Sequence, residues 1–128
     1  MFTAEQIITA HSKVKSGADF PNYIKEIKAL GVTHYEAYVE DGHIDYHGAN
    51  NTVKVPEKYA SMTVAETADA ENFKVGLIDH QKGKTDYLSF IKICAECGIE
   101  KWEISIDTMT CTYFDQLGAA IVIEKISM

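Results

Sequence analysis

The residues best suited to chemistry lie between His34 and His47: His34, Glu36, Glu40, His43, Asp45 and His47, arranged around Asp41-Gly42. A histidine touching a carboxylate can be held charged, pass a proton or ligate a metal. Asp41-Gly42 is a two-residue hairpin signal. A turn of that length predicts that Glu40 faces His43, Tyr38 faces Asp45 and Glu36 faces His47, all on one side of the hairpin. Cross-strand neighbours lie about 4.5–5.5 Å apart at Cβ. His43 and His47 are separated by roughly 13 Å along a strand, so one ion cannot hold both. The set that can converge is Glu36, Asp45 and His47, with His34 nearby. These four are the candidate catalytic residues, for acid–base or metal-assisted hydrolysis. The same pattern also reads as a solvated sheet face, which is ordinarily polar.

Other candidate chemistry is weaker. Cys94-x-x-Cys97 has a redox or metal spacing, but it falls at the end of a predicted helix rather than at the helix start that lowers a thiol pKa. Together with Cys111, these cysteines stand where a core residue is expected, and free cysteine packs as a small hydrophobe. No second Cys/His pair completes a zinc spacing. Gly83-Lys84-Thr85 has the tail of a phosphate-binding loop without its first glycine or a preceding strand. There is no Gly-x-Ser-x-Gly. No metal and no cofactor are therefore expected.

The elements that must carry these residues follow from caps and periodicity. Thr3 and Gln6 are spaced as a capping box, with Phe2 and Ile7 as its staple. Ile7, Ile8 and Val14 form a helical stripe that Ser16-Gly17 ends. Asp19 is placed to cap a second helix, with Phe20, Tyr23, Ile24, Ile27 and Leu30 on one face and Gly31 as its stop. The period then changes to two: Tyr35, Ala37 and Val39 alternate, and Ile44 and Tyr46 return. The segment Pro56–Asp69 offers either a Thr63/Glu66 capping box or a strand through Met62 and Val64.

This order recurs 67 residues later. Asp86 caps, Tyr87, Phe90, Ile91, Cys94 and Cys97 form a stripe, and Gly98 stops it. Trp102, Ile104 and Ile106 alternate, and Cys111 and Tyr113 return. Without a gap, Asp19, Ile24, Lys25, Gly31, Glu36, Tyr46, Glu57 and Lys58 match Asp86, Ile91, Lys92, Gly98, Glu103, Tyr113, Glu124 and Lys125. A third strand is expected near Val53–Val55 and again near Ile121–Ile123. A helix around Phe73 and Leu77 occupies the place of the first. The predicted fold is α+β: one domain over residues 1–128, made of two tandem helix-helix-strand-strand-strand repeats (about 1–58 and about 69–128). The repeats form an antiparallel sheet packed against helices with pseudo-twofold symmetry. Symmetry then places Tyr35, Tyr46, Trp102 and Tyr113 at equivalent inner positions. They either line a pocket or fill the core with their polar ends at its rim.

Composition narrows the partners. In 128 residues, 46% hydrophobic content supplies a core without disulfides. Twelve basic residues against 19 acidic ones give a net charge of -7, which disfavours phosphate backbones, so no nucleic acid is expected. The start lacks the pattern of a secretion signal, and no apolar run reaches the ~20 residues that span a bilayer. With three cysteines, an odd number, this points to a cytoplasmic protein that is not membrane-bound.

The stretches Ile8–Pro21 and Gly31–Glu36, then Gly83-Lys84-Thr85-Asp86-Tyr87, Gly98–Trp102 and Met109–Tyr113, resemble the YbcV-like family of uncharacterised proteins along nearly the whole chain. Its members often carry the label phage envelope protein. The resemblance implies a phage or prophage origin and no mechanism. The favoured functional reading is a non-enzymatic binding or interaction module. Its partner is an unknown protein, a small molecule or a second copy in a homodimer. The alternatives are a small enzyme using His34, Glu36, Asp45 and His47, and a small-molecule binder between the repeats.

Overall fold

The computed structural model describes residues 2–14, 19–56 and 59–126. Ser16-Gly17 and the Glu57-Lys58 match lie outside them. The chain is α+β, with element order α1 (Ala4–His11), α2 (Phe20–Leu30), β1 (Val32–Tyr38), β2 (Ile44–Gly48), β3 (Thr52–Val55), α3 (Ala70–Gln81), α4 (Tyr87–Glu96), β4 (Lys101–Ser105), β5 (Thr110–Phe114) and β6 (Ala120–Lys125). The strands form one six-stranded sheet in the order β3-β2-β1-β4-β5-β6, antiparallel throughout.

Local signals set most of these boundaries. Thr3 and Gln6 form the capping box of α1, each side chain bonded to the other's backbone. Asp86 Oδ1 accepts the Ser89 N–H at 2.7 Å to cap α4. Asp19 occupies the N-cap of α2 but makes no capping bond with its side chain, because its backbone is already helical (φ -87, ψ -11). Gly31 and Gly98 end α2 and α4 in the left-handed region, at φ 109 and 77. Residues 59–69 are neither helix nor strand. They run irregularly, tied down by Met62 N–H to Glu40 O, Ala65 N–H to Ala95 O and Asp69 N–H to Cys97 O.

The first hairpin corrects the predicted register. The pairs are Ala37–Ile44, Glu36–Asp45, Tyr35–Tyr46 and His34–His47. Glu36 therefore does not sit opposite His47, nor Tyr38 opposite Asp45, nor Glu40 opposite His43. The Asp41-Gly42 pair lies inside a longer loop, closed by Tyr38 N–H to His43 O and Gly42 N–H to Tyr38 O. Two forces hold that loop open. Val39 is fully buried, with its N–H bonded to Glu100 O, and Tyr59 Oη donates to Val39 O at 2.6 Å. Asp41 Oδ1 meanwhile accepts the His43 N–H at 3.0 Å. The shift is two residues, one full side-chain period, so the inner and outer faces are unchanged.

On the inner face Tyr35, Ala37, Ile44, Tyr46, Ile104, Cys111 and Tyr113 are buried, under helices that contribute Ile7, Ile24, Ile27, Phe73, Leu77 and Ile91. Cys94, Cys97 and Cys111 are free thiols buried in this core. Burial raises the pKa of all three, that of Cys111 to about 12. Such thiols stay protonated and pack as apolar groups. No helix among the described residues is long and apolar enough to cross a membrane.

Candidate functional site

The outer sheet face holds the four predicted catalytic residues. Strand alternation sends His34 and Glu36 of β1 and Asp45 and His47 of β2 to this side. Diagonal neighbours on adjacent strands lie within reach of long side chains. Glu36 uses this to meet His47 Nε2 at 2.9 Å through Oε1 and the Lys101 ammonium through Oε2. His34 stacks on His47 with ring centroids 4.5 Å apart. Asp45 takes no part in these contacts; its Oδ2 lies 3.9 Å from His43 Nε2. His43 is held by Asp41 Oδ1 at 2.6 Å, not by Glu40, and stacks on Tyr38 at 4.3 Å. Lys101 also lies over the Tyr38 and Phe114 rings, 5.6 and 5.5 Å from their centroids.

Both oxygens of Glu36 are thus engaged, which suits a structural ion pair better than a general base. Burial pushes the Glu36 pKa up, but hydrogen bonds from Lys101 and His47, and their charges, outweigh it and bring it below the ordinary 4.5. The Lys101 pKa is raised above 10.5, first by its bond to Glu36. The signs follow from linkage. The lowered carboxyl stabilises the fold above its unfolded pKa, and this is lost as pH falls through the folded value. The raised ammonium stabilises below 10.5, and this is lost as pH rises through its folded value. Glu36→Gln is expected to cost about 1–2 kcal/mol at neutral pH, discounted for partial exposure. The difference from the parent should shrink below pH 4.5. Urea unfolding of both proteins between pH 3 and 8 checks this; a pH-independent difference would contradict it.

The inner face forms a different kind of site. The helix pairs α1/α2 and α3/α4 each pack internally, and among the described residues no Cα of one pair comes within 8 Å of a Cα of the other. Between them lies a groove of about 1170 Å³. The centre of the sheet is its floor, and Tyr35, Tyr46, Trp102 and Tyr113 all line it, as do Ala37 and Ile104. One wall carries Phe20 and Tyr23, the other Leu77, Tyr87 and Phe90; Glu124 and Lys125 stand on β6. The floor aromatics are paired across strands: Tyr35 with Tyr46 at 5.0 Å between centroids, Trp102 with Tyr113 at 6.0 Å. Ala37 sits between Ile44 on β2 and Trp102 on β4, and its single methyl group leaves the middle of the floor low.

Several polar groups in the groove bond one another. The hydroxyls of Tyr23 and Tyr46 bond each other at 2.6 Å. His80 stacks on Phe90 at 4.4 Å, and its Nδ1 lies 3.1 Å from both the carbonyl oxygen and the hydroxyl of Thr85. Gln81 Nε2 donates to the Glu124 carboxylate at 3.0 Å. Burial lifts the Tyr35 pKa well above 10.0, with Tyr46 adding to it, and burial likewise raises Tyr46 and Tyr113. These phenols are neutral hydrogen-bonding groups at any physiological pH.

A family model described as Protein of unknown function (DUF1398) matches residues 8–125. The chain belongs to this family. No match is found among curated proteins. In this DUF1398 protein the family span takes in both the outer-face cluster and the floor of the groove. Alternation and the 67-residue repeat put the four floor aromatics on the inner face, where they are found. The walls were missed, since His80, Tyr87 and Phe90 belong to the groove only through the placing of α3 and α4. The sequence signal for Ala37 was its size: a small residue in a row of large ones on a buried face.

Proposed function

We propose that this chain is a non-enzymatic binding protein whose site is the groove between the two helix pairs, and that its partner is a small molecule. The observation that carries this reading is an aromatic-floored cavity of about 1170 Å³ whose lining surface is mostly apolar. Small-molecule sites are typically concave, mostly apolar and lined by a few placed polar groups, with volumes of roughly 300–1,000 Å³. The outer face supports an enzyme less well, because Glu36 is bonded at both oxygens and Asp45 takes no part in these contacts.

An internal duplication accounts for the groove on this reading. Glu36 pairs with Glu103, its counterpart 67 positions on, at the centre of the sheet. Val39 N–H bonds Glu100 O, and Ile106 N–H bonds Thr33 O, which is the same contact with the copies exchanged. Gly42 and Met109, also 67 apart, both have positive φ. Two copies joined edge to edge would leave a symmetric cleft where their helix pairs meet the shared sheet. A cytoplasmic protein of phage or prophage origin, as the likeness to YbcV-like proteins implies, belongs to the same proposal.

Ala37→Trp tests the site by filling the floor. A fragment bound at 100 times its Kd adds about 2.7 kcal/mol to native stability. Thermal melts of the parent against small aromatic fragments should yield hits that disappear in folded Ala37→Trp. Hits that survive in that variant, or their complete absence, would count against the groove.

A further inference from the structure

The groove contains two hydrogen-bond donors that have no partner among the described residues. Tyr35 is 6% exposed, and its side chain makes no hydrogen bond among the described residues. The indole N–H of half-buried Trp102 also makes none among them. The Tyr35 oxygen is not sealed from the cavity either, since no side-chain polar atom among the described residues is both enclosed and unbonded. Both donors therefore reach the cavity, where a ligand's acceptor can take the place of the water that otherwise satisfies them. Trp102 can only donate, and Tyr35 most readily donates, so both call for an acceptor. Tyr35 and Trp102 lie on adjacent central strands, one register position either side of the Glu36–Glu103 pair.

Charge limits that acceptor further. Among the described residues the one Lys or Arg lining the groove is Lys125, with Glu124 beside it, while His11 and His80 stand on the walls and not on the floor. An anion carried to the floor would lose its water without gaining a cation there. The rings that form the floor favour stacking against a flat body.

We infer that the groove takes a neutral, planar aromatic molecule bearing a carbonyl-type acceptor, which Tyr35 Oη and Trp102 Nε1 recognise at the floor. This rests on the proposed binding role of the groove and specifies its ligand. Orientation would come from the two donors, and affinity mainly from the apolar contact.

Two dyes separate the ligand class from the groove itself. Nile red is neutral and planar and has a ring carbonyl; 8-anilinonaphthalene-1-sulfonate is aromatic but anionic. Fluorescence titration of the full chain should show saturable Nile red binding, at least tenfold tighter than that of the sulfonate. Tyr35→Phe, which keeps the ring, and Trp102→Phe, which removes the N–H, should each weaken it about 5–10-fold, with unchanged melts confirming the fold. Equal affinity in both variants, or preference for the sulfonate, would overturn the assignment while Ala37→Trp still blocks binding. If Ala37→Trp binds either dye as the parent does, the groove reading itself fails. Absence of any saturable Nile red binding overturns the assignment directly.

Discussion

Phe73→Ala is expected to lower stability by about 3–5 kcal/mol, a large share of what holds a domain of this size together. Phe73 lies on α3, fully buried, with its ring 5.0 Å from Tyr113 and 6.2 Å from Phe90. It therefore joins α3 to α4 and both to the sheet. Truncation removes a whole ring from a packed interior and leaves a cavity that neighbours on two helices and a strand cannot easily fill. Loss of this support should also loosen Tyr113 at the groove floor. Urea unfolding of both proteins measures the effect, and a loss under 1 kcal/mol would contradict this packing.

Gly98→Ala should be nearly as damaging, for a backbone reason. At φ 77 a side chain costs about 1–2 kcal/mol from the left-handed conformation alone. An added Cβ would also meet Thr67 O at 2.6 Å and Ala68 Cα at 2.9 Å. Those are backbone atoms of the irregular segment running past the end of α4, and they cannot rotate away. The total is expected at about 2–4 kcal/mol. Gly31→Ala is the comparison: it shares the positive φ, but its Cβ would find only Phe2 Cδ1, at 3.8 Å. It should cost about 1–2 kcal/mol. Equal losses at the two glycines would show that the contact with Thr67 and Ala68 is not what makes Gly98 necessary.

That pair of glycines also marks how far the sequence could be read. The caps at Thr3 and Asp86, the stops at Gly31 and Gly98 and the alternation through Tyr35–Ala37 and Trp102–Ile104 are local signals, and each located its element. Register was not local. Asp41-Gly42 suggested a two-residue turn, but burial of Val39 and the bonds from Tyr59 and Met62 hold a longer loop. Those partners come from a segment whose pattern offered either a helix cap at Thr63 or a strand through Met62 and Val64, and which forms neither. The site divided in the same way. Glu36 and His47 do meet, but diagonally, while the pairing of Glu40 with His43 failed with the register. The groove needed the separation of two helix pairs, which depends on tertiary packing and has no signature in a single stretch of chain.

The two faces of the sheet make competing claims on function, and one titration distinguishes them. Aromatic and methyl NMR shifts of the protein, followed during Nile red addition, report where the molecule binds. The groove account predicts the largest changes at Tyr35, Trp102, Ile104 and Tyr113, with the rings of His34 and His47 on the outer face little affected. Changes concentrated at His34 and His47, with the groove residues still, would contradict it.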